Sequence, residues 1–290
     1  MLIGAHVGVA GGYDTAVAYA ASVGCECLQV FAKSPRQWAA RPLRAEVVSA
    51  FRDARHLHAM GPVLVHTAYL INLGSDDDIL WEKSWTALAD EMARAAALGA
   101  DAVVTHLGTV HRSDPARTPE RIASAIDLAL ALAPVDGPRL LLENTAAAGS
   151  TFGDGPEELG SVLEMLDAST GRVGVCLDTC HAHAAGYDMS RVDVWRSLLE
   201  EFERCCAMPI EAIHANDCAF PAGEHRDRHA WIGDGTIGYA GFAAMFDQPA
   251  LTGVPVIIEM PGDVPVKDAE NITRLKRLRD ACAEPASSGA

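Results

Sequence analysis

The chain of 290 residues is 49% hydrophobic and 21% charged, a globular composition long enough to bury a large core. Its 23 Lys and Arg stand against 39 Asp and Glu, a formal charge of −16, and that total weighs against nucleic acid as a partner because phosphate contacts draw on Lys and Arg. No apolar run approaches the roughly 18 residues of a membrane span, and MLIGAHVGVAGGYD lacks the basic segment and long apolar stretch of a secretory signal, so a cytoplasmic protein with no membrane partner is expected.

Short β-rich runs recur along the chain: LIGAHV (2–7), CLQVFA (27–32), VLVHT (63–67), AVVTHLG (102–108), RLLLENT (139–145), VGVCLDT (173–179), IEAIHAND (210–217) and PVIIEM (255–260). Helical patterns lie between them. Asp14 is placed to cap a helix over 15–23 that Gly24 closes. A pattern over 45–60 follows. The next, over 79–98, has Ser75 to Asp78 as cap candidates and Gly99 as its stop, and Leu80, Trp81, Leu88, Met92 and Ala95 form an apolar face at helical spacing. Others cover 119–133, 156–167, 191–206 and 266–282. Strands alternating with helices pair in parallel through βαβ units. Eight such units close into a (β/α)8 TIM barrel, here a single domain over 1–282. An open doubly wound sheet is the rival arrangement. The segment AEPASSGA (283–290) reads as an unstructured tail.

The last inward-facing residue of each run is polar: His6, Lys33 just past the second run, His66, His106, Glu143, Asp178, His214 and Glu259. Alternation pairs Leu64 with His66, Val104 with His106, Leu141 with Glu143 and Ile257 with Glu259. Apolar partners then fill a barrel, and the polar residues gather at its carboxyl-end mouth, where barrel enzymes place their chemistry. One His or Glu at a strand end is ordinarily a hydrogen-bonded core or loop residue. Six imidazoles and carboxylates converging from strands three to eight need a compensating cation, since unpaired buried charge is costly. Mixed imidazole and carboxylate donors suit zinc, with manganese or iron as alternatives.

Further donors lie beyond the strands. Asp227 and His229, two apart in HRDRHAWIGDGTIG (225–238), point the same way in an extended segment, and His181, three past Asp178, can face a different metal. The eight cysteines sit mostly in apolar segments and read as reduced thiols. Cys176 faces the barrel interior and Cys180 lies just outside it; their spacing is not that of a zinc ribbon or thioredoxin-like site. His183 is a surface residue or one that supports a ligand.

These segments resemble the endonuclease IV family, zinc-dependent apurinic/apyrimidinic endonucleases of base-excision repair. The resemblance covers 1–280 and rests on GAHV (4–7), KSPRQW (33–38), HTAYLINLG (66–74), LENTA (142–146), GVCLDTCHAHAAGYD (174–188), HAND (214–217) and DRHxxxGxGxIG (227–238). It implies three zinc ions: His66, His106 and Glu143 on one, Glu143 bridging to a second with Asp178, His214 and Glu259, and His181, Asp227 and His229 on a third. It also implies that Arg36, Tyr69 and Leu70 enter a duplex at the missing base. Without the resemblance, Tyr69 and Leu70 read as core packing and Trp38 as structural. Three positions depart from the family pattern: Leu107 in place of a proline, Ala147 in place of a glycine and His183 in place of an aromatic.

The implied activity is hydrolysis of the phosphodiester 5′ to an abasic site, leaving a 3′-hydroxyl and a 5′-deoxyribose phosphate, by a monomer acting on damaged duplex DNA. Glu143 and Glu259 are the expected catalytic carboxylates, Glu259 orienting or deprotonating the attacking water. Three divalent ions would take the formal charge of −16 to about −10 and concentrate positive potential at the mouth, which answers the objection from total charge. A xylose-isomerase-like sugar isomerase or epimerase is the nearest rival, but it has no need of His181, Asp227 and His229 or of the Tyr69–Leu70 pair. A non-catalytic damage binder has no need of the ligand set at all.

Overall fold

The computed structural model is described for residues 1–166, 171–259 and 265–283. The chain lays down β1 (Leu2–His6), β2 (Cys27–Phe31), β3 (Val63–His66), β4 (Ala102–Thr105), β5 (Arg139–Glu143), β6 (Val173–Asp178) and β7 (Ile210–His214). A short antiparallel ladder of β8 (Asp217–Cys218) and β9 (His229–Ala230) follows, and then β10 (Pro255–Ile258). Seven of these strands and β10 pair in parallel in the order β1-β10-β7-β6-β5-β4-β3-β2 and close into a ring. The ring rules out the open doubly wound sheet.

Strand period sorts the side chains into two cores. Leu64, Val104, Leu141, Cys176, Ala212 and Ile257 form a separate buried cluster with Cys27 and Ala102 inside the barrel. Their neighbours Val65, Val103, Leu140, Leu142, Val175 and Ile213 face outward into the second core, beneath the helices. Each such fully buried aliphatic chain contributes roughly 1.5–3 kcal/mol. Gly4 on β1 is required by close approach: a Cβ there would run into the Cys27 carbonyl of β2.

The helices are α1 (Tyr13–Ser22), α2 (Ala45–Leu57), α3 (Asp78–Leu98), α4 (Thr118–Leu132), α5 (Pro156–Leu163), α6 (Thr179–Ala185), α7 (Val192–Cys206), α8 (Gly238–Phe246) and α9 (Pro265–Ala283). Among the expected caps, Asp77 holds α3, its carboxylate accepting from the Ile79 and Leu80 amides, and Gly99 ends that helix in the left-handed conformation. Asp14 does not cap α1. Gly12 occupies the N-cap, with Asp14 in the first turn, and Val23 rather than Gly24 is the C-cap. The pattern over 156–167 ends early, at Leu163. The sequence reading missed two helices. α6 is too short to show a period, and α8, GYAGFAAMF, is apolar nearly all round and has no side-chain cap. Ala283 still belongs to α9; the rest of the expected tail, 284–290, lies outside the described residues.

A local irregularity sets the site. Between β6 and β7 the register shifts after Val175, so that Glu211 is passed over and Asp178 comes to stand opposite His214. Such a bulge re-aims side chains next to a functional site. Glu211 itself pairs with Arg139 at the start of β5.

Candidate metal centre

Each strand delivers its donor by ending just as the chain leaves the barrel. His66, Glu143, Asp178 and His214 are the last residues of β3, β5, β6 and β7, and His106 and Glu259 each lie one residue past the end of β4 and β10. α6 begins directly after Asp178, whose carboxylate caps it by accepting the His181 amide at 2.8 Å, and the turn of helix brings the His181 ring back over the mouth. Asp227 arrives on the excursion between β8 and β9 and His229 opens β9, with ligand atoms 3.2 Å apart.

All nine sequence-selected donors converge. One ligand atom each from His66, His106 and Glu143 fits within a 4.8 Å group, and so does one each from Glu143, Asp178, His214 and Glu259. Glu143 belongs to both. Its Oε2 is 3.1 Å from His66 Nε2 and 3.5 Å from His106 Nε2, and its Oε1 is 2.8 Å from His214 Nδ1. Around the remaining donors, Asp178 groups with His181 and His229, and Cys180 groups with Asp227 and His229. Asp227 lies between the two rings, 3.3 Å from His181 Nε2 and 3.2 Å from His229 Nε2. The chain therefore carries several clusters able to hold divalent metal.

Hydrogen bonds fix which nitrogen of each ring faces the centre. His66 Nδ1 is 2.8 Å from the Thr67 carbonyl, His181 Nδ1 is 2.9 Å from the Asn144 carbonyl and His229 Nδ1 is 3.0 Å from the Glu259 carbonyl. A carbonyl only accepts, so each Nδ1 carries a hydrogen and each Nε2 is the nitrogen turned to the centre. His229 Nε2 is buried and, among the described residues, has no well-aligned hydrogen bond, with Asp227 Oδ1 3.2 Å away. A buried ring nitrogen that faces carboxylates in this way suits a cation.

The electrostatics agree. Glu143 and Asp178 are wholly buried. Burial raises the Asp178 pKa against the pull of His181 and His229. Burial also pushes Glu143 up, but His106 and His214 outweigh it and hold that carboxyl well below the ordinary range. Burial lowers His229, and the Asp227 and Asp178 carboxylates overcome it to reach about 9. Against burial, His181 is carried well above the ordinary imidazole value in the same way, by Asp178 and Asp227. Protons on the rings thus stand in as countercharge, on the nitrogens where a cation would compete for the lone pair.

One sequence expectation needs correction, and two open alternatives close. Lys33 does not face the mouth; it turns away toward α3, with its ammonium 3.2 Å from Asp90 and 3.6 Å from Glu91. Alternation from Cys27 instead gives Gln29, in the middle of β2 and paired in register with His6, and then Phe31 at its end, whose ring lies against His6 and His66. His183 is not on the surface: it is buried, accepting the Met189 amide at Nδ1 and bonded to the Thr236 hydroxyl through Nε2. Tyr69 is not core packing, for it is 64% exposed, its ring standing edge-on to Phe31 and 5.7 Å from His66. Leu70 beside it is half-buried, and Arg36 is exposed on the loop after β2. Trp38 is half-buried against the core under Lys83, as a structural residue should be.

Sequence reasoning also missed Asn144 and Asn216. Asn216 donates to Asp178 Oδ2 at 2.6 Å and accepts the Glu259 amide at 2.8 Å, and Asn144 accepts the Asp178 amide at 2.7 Å. Both sit one or two positions beyond a strand-end donor, which was the available signal.

The sequence pattern of the xylose isomerase-like TIM-barrel family matches residues 17–281. Within that broad group, a probable endonuclease 4 of Methanoculleus marisnigri is 38% identical over 282 residues, covering 97% of this chain and all of the relative. The chain belongs to the endonuclease IV family. Endonuclease IV of Thermus thermophilus superposes on it with a TM-score of 0.85 at 36% identity, over 97% of this chain and the whole of the other. A D-tagatose 3-epimerase-like protein superposes at 0.74 with 17% identity and shares the fold alone. Of the three departures from the endonuclease IV pattern, Leu107 is fully buried and Ala147 takes a left-handed φ of 53°, the conformation a glycine adopts without cost.

Proposed function

We propose that the chain is a zinc-dependent apurinic/apyrimidinic endonuclease that hydrolyses the phosphodiester 5′ to abasic sites in duplex DNA during base-excision repair, leaving a 3′-hydroxyl and a 5′-deoxyribose phosphate. The observation that carries this reading is the double contact of Glu143, which touches His66 with one carboxylate oxygen and His214 with the other. A carboxylate shared by two donor groups in this way would suit a pair of cations. His66, His106 and Glu143 would hold one zinc, Glu143, Asp178, His214 and Glu259 a second, and His181, Asp227 and His229 a third, with manganese or iron as alternatives at one or more positions. Bound there, such ions supply water acidified to near neutrality and electrophilic support for phosphate and leaving oxygens.

The chain's own groups do the rest. Glu259, at the rim and held well below its ordinary pKa by His214 despite burial, is an anion able to orient or deprotonate the attacking water. Tyr69 and Leu70, with Arg36 on the neighbouring loop, fill the gap in the stack. An abasic nucleotide is cheaper to extrude than a paired one, so selectivity needs no base reading. The catalytic unit is taken as residues 1–282 acting as a monomer in the cytoplasm; among the described residues no helix is long and apolar enough to cross a membrane.

The deciding experiment is incision of a duplex carrying a single tetrahydrofuran abasic analogue by zinc-loaded protein, with metal content measured in parallel. A nick on the 5′ side and none in the undamaged duplex is expected. Loaded protein that leaves the duplex whole sinks the reading, and sugar epimerisation by the same preparation would favour the rival.

A further inference from the structure

We infer that Gln29 is a positioning residue, setting which nitrogen of His214 faces the metal and holding Glu259 beside it; the inference rests on the metal centre proposed above. The Gln29 side chain, from the middle of β2, is fully buried beneath the mouth. One of its amide atoms lies 2.8 Å from Glu259 Oε1 and the other 2.9 Å from His214 Nε2. An ionised carboxylate only accepts, so the atom facing Glu259 is Nε2, and Oε1 faces the ring. An amide oxygen also only accepts, so His214 carries its hydrogen on Nε2. Its Nδ1 is then the nitrogen turned to the centre, 2.8 Å from Glu143 Oε1 and 3.5 Å from Glu259 Oε2, and the hydrogen it shares with Glu143 is the one a cation would displace.

The second hydrogen on Gln29 Nε2 goes to His6 Nδ1, 3.0 Å away, so the amide uses both donors and its acceptor at once. Asn216 completes the grip on the other Glu259 oxygen, at 3.3 Å. For His66, His181 and His229 backbone carbonyls hold the other ring nitrogen, Nδ1, and no substitution removes them. His214 is anchored by a side chain instead. Partners of this kind orient a ligating ring and raise its basicity, and losing one weakens metal binding about 10- to 100-fold.

The test is Gln29→Met, which keeps the length and removes every polar atom. Zinc retained per chain is measured against graded chelator, before any DNA is added. The expected result is one ion bound about 10- to 100-fold more weakly, the others held as in the unsubstituted protein, and unchanged thermal unfolding of the metal-stripped form. Unaltered affinity for every ion overturns the inference. Should the Gln29→Met protein fail to fold, nitrogen-15 spectra of the zinc-loaded, unsubstituted protein decide: a His214 proton on Nε2 supports the assignment, and one on Nδ1 overturns it. Unsubstituted protein that takes up no metal removes the centre itself and the inference with it, an outcome distinct from a metal-replete Gln29→Met variant.

Discussion

The Lys33 ammonium lies 3.6 Å from the Glu91 carboxylate, both out of water, and the pair ties two loops to one helix. Lys33 Nζ also donates to the Trp38 carbonyl, and Glu91 Oε1 accepts the Ala68 amide at 2.9 Å. Trp38 closes the loop that carries Arg36, and Ala68 precedes Tyr69. Glu91→Ala leaves a buried ammonium with Asp90 as its remaining carboxylate, and breaking such a pair costs about 3–5 kcal/mol. Urea unfolding should register a loss of that order, and affinity for an abasic duplex should fall while zinc content stays the same. A variant as stable as the parent, with unchanged DNA affinity, would deny the pair its role.

Tyr69→Ala should separate binding from folding. The side chain is 64% exposed, so melting should barely move. Stacking of an aromatic on a base contributes about 1–3 kcal/mol, which is roughly 5- to 150-fold in the dissociation constant for an abasic duplex. Fluorescence anisotropy with metal-loaded protein reads this directly, and affinity equal to the parent's would remove Tyr69 from the interface.

Glu259→Gln keeps an acceptor for the Gln29 amide but discards the charge. Turnover should drop by about 10²- to 10⁴-fold, the scale of a lost acid–base group, with a much smaller change in duplex affinity. Equal losses in both would assign Glu259 to binding alone.

The stripped protein should grow less stable as pH rises through the upper neutral range. His229 has its pKa raised from 6.5 to about 9, chiefly by Asp227 against burial. A raised imidazole adds stability that is fully present below pH 6.5 and is lost as pH climbs through about 9. Zinc replaces that proton, so loaded protein should escape the loss and the gap between loaded and stripped forms should widen across the window. Paired urea titrations at its two ends measure the gap. A gap that stays constant would mean His229 titrates unaffected by Asp227.

Ala147→Gly should stabilise the fold by about 1 kcal/mol, because a side chain at φ 53° carries a left-handed penalty that glycine does not, less some added freedom of the unfolded chain. A melting temperature below the parent's would show that the methyl group packs usefully enough to outweigh its backbone.

Much of this was legible beforehand for a physical reason. A strand period of two fixes which residues face inward, so Leu64 with His66 and Leu141 with Glu143 could be read directly, and the buried interior cluster and the convergent mouth follow from it. The same rule, carried one step from Cys27, gives Gln29. Lys33 displaced it in the reading because a charge near a mouth draws attention, whereas its actual partners lie on α3, far along the chain. The tautomer partners were illegible, since a backbone carbonyl leaves no mark in the sequence. α8 escaped because an element apolar on every side has no stripe to detect.

The Asp217 carboxylate accepts five backbone amides, those of Cys218, Gly233, Gly235, Ile237 and Gly238. A Cβ on Gly235 would collide with that carboxylate and with the Cys218 carbonyl. The turn leaving β9 is therefore gathered around a single acid, while the excursion between β8 and β9 is tied to α6 by the Gly223 and His225 amides, which donate to the His183 and Ala184 carbonyls. Protein engineers can recut its exposed positions, such as Glu224, provided both anchorages and the two donors are left alone.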